Sequence, residues 1–493
     1  MNRNVPRSLA AALAASIALF ASVCAVPLAP GYRIVKESRE VRFVPGQPPE
    51  LHVRANYTLQ NMGTGELTFL DTNFPEARAF GRTNLRVEVD GREVAAASLP
   101  AAYQDAQPDV LRIPLDPAWA RKQTRQLVIE YSFRSPDNSA ARITIDENSF
   151  HLGTRGWFPE LQPPKHVLAP YPKPPNVADF AVRVPANFVV LARGTPKGKK
   201  TDGNEIEYRF RLDAASMATY VVAGKYAAWP AAGKSNSVVF WTTQPLKDDP
   251  APAAERIAAA WNALEKDFGP LDKSIGGPHI VESPELRGHL SGETAPAAAA
   301  FPGGAIVNPA ALALGTSSDQ FLEIVAHALA HEWFGDSMYI APGAAVGMGE
   351  GLPEYATIVI DEARNGADAR RKRVTEYLRR YDEARSGATE TPLGATMIGD
   401  ALGPRRIALA KAPLFFVALE DACGEAPMRA GLARLLAVQR GREAGYADLR
   451  AALEESTNRD LAGMFRLWLN GKGIPEDFRR RYQGSAVGEV AQK

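Results

Sequence analysis

The chain has 493 residues, 45% of them hydrophobic and 23% charged, with a formal net charge of +1. That length accommodates two or three domains with substantial cores. The balanced charge gives no ground for a nucleic-acid partner or an acidic membrane surface.

Arg3 and Arg7 precede an apolar run from Leu9 to Phe20, and Val23-Cys24-Ala25 offers small residues for cleavage after Ala25. This is the pattern of a secretory signal peptide over residues 1–25, which places the mature protein outside the cytoplasm, secreted or periplasmic. A lipoprotein acylated at Cys24 is the alternative. The apolar run is shorter than the roughly 20 residues that a membrane span requires, so the mature chain is expected to have no transmembrane segment. Removing residues 1–25 takes away two arginines and no acids, leaving 55 bases against 56 acids and a charge of −1. Cys423 is then the only cysteine, so no internal disulfide can form and stability must come from core size.

From residue 26 to about 228 the sequence reads as β. Short alternating runs (VRFV, LHVRANYTLQ, LRVEVDGREV, RQLVIEYSFR, NEIEYRFRL) are separated by turn clusters such as NMGTGE and KGKKTDGN. The spacing predicts antiparallel sheets rather than βαβ units. Residues 229–483 are mostly helical. PAAERIAAAWNALEKDFG has helical apolar spacing and ends in glycine, and the stretches YADLRAALEEST and DLAGMFRLWLNG are amphipathic. Residues 484–493 form a C-terminal tail. The fold class is therefore α+β and multidomain.

Ser317-Ser318-Asp319-Gln320 predicts a helix start, with Gln320 completing a capping box on Ser317. The helix is expected to run through IVAHALAHEWFGD and to stop near Gly335. His327 and His331 are four residues apart, so on a helix both imidazoles share a face and can converge on one ion. Glu350, in a later helical stretch, can add a third ligand and leave one position open, as a catalytic zinc site requires. Glu354, one turn further on, can orient a ligand imidazole or stand as a solvated helix acid.

HALAHEWFGD, the eighteen residues between His331 and Glu350, and EGLPEYA together resemble the zinc signature of the aminopeptidase N-type gluzincins. GWFPELQPPKHVLAPYP and MATYVVAGKYAAW are similar to the end of that family's N-terminal β domain. LAKAPLFFVALEDACGEAPMRAGLARLL and YADLRAALEESTNRDLAGMFRLWL are similar to the helical end of its catalytic domain. The resemblance implies an N-terminal antiparallel β domain followed by a thermolysin-like, mostly helical one. It also implies one zinc ion on His327, His331 and Glu350, and a cleft that takes a peptide or protein.

Three positions depart from that pattern. The family's general base falls at Ala328, and its transition-state tyrosine at Leu409, two residues before Lys411. The motif that grips a substrate's free amine is not recognisable in GHLSGETAPAAAAFPGG, where Glu293 is the nearest acid. Glu332, one turn beyond Ala328, lies about 5.4 Å further along the helix; family members commonly carry Gln or Glu there, which implies a structural role. The expectation is a zinc-binding pseudopeptidase with no catalytic residue of its own. The alternatives are a metallopeptidase with relocated groups and a metal-free interaction module.

Overall fold

In the computed structural model, residues 31–483 are described except for 75–81, 99–108, 135–142, 154–156, 162–177, 213–219, 232–237, 272–276, 284–296 and 302. The segment proposed as a signal peptide, Glu293 and the C-terminal tail all lie outside the described residues.

The N-terminal half is β, as its alternation requires. An eight-stranded sheet runs, in spatial order, through Thr195–Asp202, Glu205–Leu212, Ala178–Pro185, Tyr32–Val44, Glu50–Asn61, Thr124–Phe133, Thr83–Val89 and Arg92–Glu93. Burial alternates residue by residue along Glu50–Asn61, placing Leu51, Val53, Ala55, Tyr57 and Leu59 in one core. The pairing is antiparallel except at one place: Tyr32–Val44 lies parallel to Ala178–Pro185, a non-local junction that alternation within either strand cannot reveal. Two four-stranded sheets complete this domain.

The strand Ala227–Ala231 straddles residue 228 and pairs with Val238–Thr242 in a five-stranded sheet, whose remaining members are His279–Glu282, Gly304–Val307 and Ala298–Phe301. Val238–Thr242, His279–Glu282 and Gly304–Val307 are parallel to one another. An apolar seam of Tyr220, Val222 and Tyr226 against Val281, Phe301 and Ile306 joins this sheet to the β domain.

The helices follow: α1 Ala251–Phe268, α2 Pro309–Ala313, α3 Asp319–Ala330, α4 Gly351–Asn365, α5 Ala367–Gly387, α6 Leu402–Cys423, α7 Glu425–Gln439, α8 Tyr446–Thr457, α9 Ala462–Asn470 and α10 Glu476–Gln483. They share one core with the five-stranded sheet. No helix among the described residues is long and apolar enough to cross a membrane. Cys423 is buried at the end of α6 in the second core.

Two details of α3 differ from the sequence reading. Ser318, not Ser317, caps the helix, its hydroxyl accepting from Phe321 N at 3.0 Å, so Gln320 closes no capping box. The helix also ends at Ala330, with His331 as its C-cap, and the chain turns before Gly335, whose φ of +157° suits glycine. His331 keeps right-handed helical torsions, so the four-residue register with His327 survives.

Candidate metal centre

Residues from α3 and from the start of α4 build the site. His327 lies in the last turn of α3 and His331 caps it. Glu350 ends a π-helical turn over Ala345–Glu350 and serves as N-cap of α4. Gly347 and Gly351 flank it because the chain is crowded on both sides. A Cβ at Gly347 would come within 1.9 Å of the Tyr446 hydroxyl, and one at Gly351 within 2.8 Å of the Ala412 Cβ on α6. These close approaches fix the carboxylate of Glu350 between α3 and α6.

The structure brings the three expected ligands together. The two Nε2 nitrogens are 3.1 Å apart, and Glu350 Oε2 is 3.5 Å from that of His327 and 3.7 Å from that of His331. Ligand atoms about 2.0–2.2 Å from a tetrahedral zinc ion are separated by about 3.3–3.6 Å, so shifts of about 0.1–0.2 Å would bring the trio to such an ion. The tautomers fit as well. His331 Nδ1 lies 3.4 Å from the Phe334 carbonyl and His327 Nδ1 lies 3.2 Å from Glu354 Oε1, which turns both Nε2 atoms toward a common point. Among the described residues this is the one group of three His, Cys, Asp or Glu side chains close enough to share a metal.

Glu354 therefore stands beside the His327 ring, one carboxylate oxygen facing Nδ1. Its other oxygen accepts from the Tyr377 hydroxyl on α5. Burial opposes its charge, but His327, Tyr377 and Arg373 outweigh burial and hold the carboxyl down to about 2. Burial likewise opposes a proton on His327, yet Glu354 and Glu350 push the metal-free imidazolium up to about 10. A metal bound there would replace that proton. Tyr377 and Arg373 had no motif to announce them, because they reach Glu354 only through the packing of α5 on α4.

The positions that departed in the sequence are equally definite. Ala328 is completely buried and belongs to the apolar core. Leu409 on α6 lines a cavity of about 620 Å³ together with His327, Glu350 and Glu354. Pro413 sits inside α6 and has no N–H to donate to the carbonyl of Leu409. Glu332 points elsewhere: it is fully buried near Asp336, Arg193 and the Gly303 backbone. Burial and the neighbouring Asp336 push its carboxyl well above the usual carboxylate range. Lys411 is buried, donating to Glu390 Oε1 at 3.1 Å and to the Gly471 carbonyl at 2.7 Å.

Residues 302–468 match the peptidase family M1 domain. Solved structures share the two-domain architecture. The M1 zinc metallopeptidase of Deinococcus radiodurans is 16% identical with a TM-score of 0.64, covering 91% of this chain and 97% of that one. A glutamate-to-alanine mutant of that protein, bound to a Tyr-Ser-Ala substrate, is 17% identical with a TM-score of 0.65, covering 90% and 96%. Aminopeptidase A of Legionella pneumophila, in complex with aspartic acid, is 16% identical with a TM-score of 0.64, covering 90% of this chain and 50% of that one. No curated protein matches the sequence. Over residues 302–468 the chain is therefore similar to a peptidase family M1 domain. Its N-terminal β domain and C-terminal helical domain share the two-domain fold of these M1 metallopeptidase structures, the fold that the zinc-signature resemblance implied.

Proposed function

We propose that this protein is an exported, zinc-binding pseudopeptidase that holds a peptide or a protein segment in the former substrate cleft. The observation that carries this reading is a complete ligand trio beside two catalytic positions that can do no chemistry. His327, His331 and Glu350 present three donor atoms at zinc-compatible separations. Zinc bound at such a site supplies Lewis acidity and a water of lowered pKa. For hydrolysis, the chain itself would have to supply a proton acceptor and a hydrogen-bond donor beside that site. Ala328 offers a methyl group for the first task and Leu409 an isobutyl group for the second. Loss of a general base costs about 10²–10⁴ in rate, and loss of one oxyanion donor about 10²–10³.

The alternative of a peptidase with relocated groups needs a substitute base. Glu332, one turn beyond Ala328, is fully buried beside Asp336 and does not line the cavity that His327 and Glu350 share. Retention of peptide binding accords with the Deinococcus protein, which is described with a substrate bound in a form that has lost a glutamate. Export rests on the signal-peptide pattern of residues 1–25 and is tested by N-terminal sequencing of the secreted or periplasmic protein.

The test of the central reading is reversion. Ala328→Glu with Leu409→Tyr is expected to confer chelator-sensitive hydrolysis of short peptides, against background hydrolysis in the parent. Equal, substantial hydrolysis by the parent would refute the pseudopeptidase reading. Thermal unfolding measured in parallel separates a misfolded variant from an inactive one, since Ala328 is buried.

A further inference from the structure

The cavity that His327, Glu350 and Glu354 share is also lined by arginines. Arg380, Arg405 and Arg406 line it, along with Glu383, Ile398 and Leu409. Two of these charges are committed within α5, where Arg380 Nε donates to Glu376 Oε1 at 2.9 Å and Glu383 accepts from Arg379. Arg405 is different. Its hydrogen bond runs from Nη1 to the Ile398 carbonyl at 2.6 Å, and among the described residues it pairs with no carboxylate. A guanidinium has five N–H donors in a planar fork, so most of its donor capacity is uncommitted.

Helix stability does not explain this placement. Arg405 and Arg406 fall within the first five residues of α6, whose first turn contains no acid and whose N-cap, Ala401, provides no side-chain acceptor. Cations are disfavoured at that end of a helix, where the backbone already presents partial positive charge. Ile398, which lines the cavity, is 56% exposed, and its sequence neighbours Met397 and Leu402 are each 41% exposed. One exposed apolar residue needs no explanation, but three within six positions, one of them lining the cavity, offer an apolar contact surface. The cavity volume falls within the range of sites that enclose small ligands.

We propose that the cleft selects peptides carrying a carboxylate, which Arg405 and Arg406 hold while an apolar neighbour of that carboxylate packs on Ile398 and Leu402. This rests on the reading of the cleft as a peptide-binding site and gives it a charge preference. The fork of an arginine matches a carboxylate in two parallel hydrogen bonds, an arrangement an ammonium or amide cannot make. The carboxylate belongs either to an acidic side chain or to the peptide's C-terminus.

Isothermal titration calorimetry of the mature chain with four unlabelled tetrapeptides decides the matter. One has glutamate side chains and an amidated C-terminus, one is neutral with a free C-terminus, one is neutral and amidated, and one is lysine-rich and amidated. At least one carboxylate-bearing peptide is expected to bind about 10–100-fold more tightly than the neutral amidated one. Which of the two gains the advantage identifies the source of the carboxylate. Added salt is expected to shrink that advantage, Arg405→Gln to remove most of it, and Arg405→Lys to restore part of it. Equal binding of all four peptides, or an unchanged order in the Arg405→Gln/Arg406→Gln double variant, overturns the charge preference and leaves peptide binding standing. If none of the four binds, both readings fall.

Discussion

On α3, His327 and His331 keep their metal-facing nitrogens and also the acceptors behind them, Glu354 and the Phe334 carbonyl. On α6, Lys411 keeps its buried partners, while Leu409, two residues earlier, presents only methyl groups to the same cavity. The difference follows from what each residue does for the folded state. Removing Glu354 strands a charged or donor-bearing imidazole, and removing Glu390 strands a buried ammonium; both are costly. Replacing a base by Ala328 leaves a methyl group in an apolar core, which costs the fold nothing. The ligand shell and the Lys411 network are therefore held by stability, whereas the base and the oxyanion donor are held by catalysis alone.

The largest expected effect falls on the catalytic side. Ala328→Glu with Leu409→Tyr should raise peptide hydrolysis by about 10²–10⁴-fold or more, measured in steady-state assays with and without chelator. No gain in a well-folded variant would mean that the cleft itself has changed. On the structural side, Glu390→Ala is expected to cost about 3–5 kcal/mol in denaturant unfolding, because Lys411 would remain buried without its counter-charge. Glu390 also accepts from the Tyr381 hydroxyl and the Gly473 amide, so its loss reaches three segments at once.

Glu354→Gln should weaken zinc affinity by about 10–100-fold without touching a ligand, read by competition with a chromophoric chelator. The same pair sets a pH signature in the metal-free protein. Glu354, held down to about 2, contributes stability that is present above its ordinary value of 4.5 and lost as pH falls toward 2. His327, pushed up to about 10, contributes stability that is present below 6.5 and lost as pH rises toward 10. Chelated protein is therefore expected to melt highest between pH 4.5 and 6.5. Zinc-loaded protein should lose the alkaline slope, since its His327 carries no proton. The smallest effect belongs to the solvent-facing side of α5, where Arg379 and Arg380 hold the Glu376 carboxyl down to about 2. That contribution is present above 4.5 and fades as pH falls, and Glu376→Gln should cost less than about 1 kcal/mol in thermal melts.

Much of the site was legible because its spacing is local. His327 and His331 are related by a helical turn, and Glu350 and Glu354 by another, so their faces follow from the chain itself. The alternation of Glu50–Asn61 was equally direct. What escaped the sequence depends on tertiary approach. The parallel junction of Tyr32–Val44 with Ala178–Pro185 spans more than a hundred residues. Tyr377 meets Glu354 only because α5 packs on α4, and Arg405 meets the cavity only because α6 closes over it. The capping residue slipped from Ser317 to its neighbour Ser318, since two adjacent serines offer the same side chain and only the backbone decides between them. Glu332 left the expected helix face because α3 stops two residues before it.

The most direct test of the account is native mass spectrometry of the purified mature protein and its His327→Ala variant. One zinc ion on the parent, absent from a folded His327→Ala protein, is the expected result and would leave hydrolysis as the remaining question. A parent that is folded, metal-free and unable to take up added zinc would contradict the account at its centre.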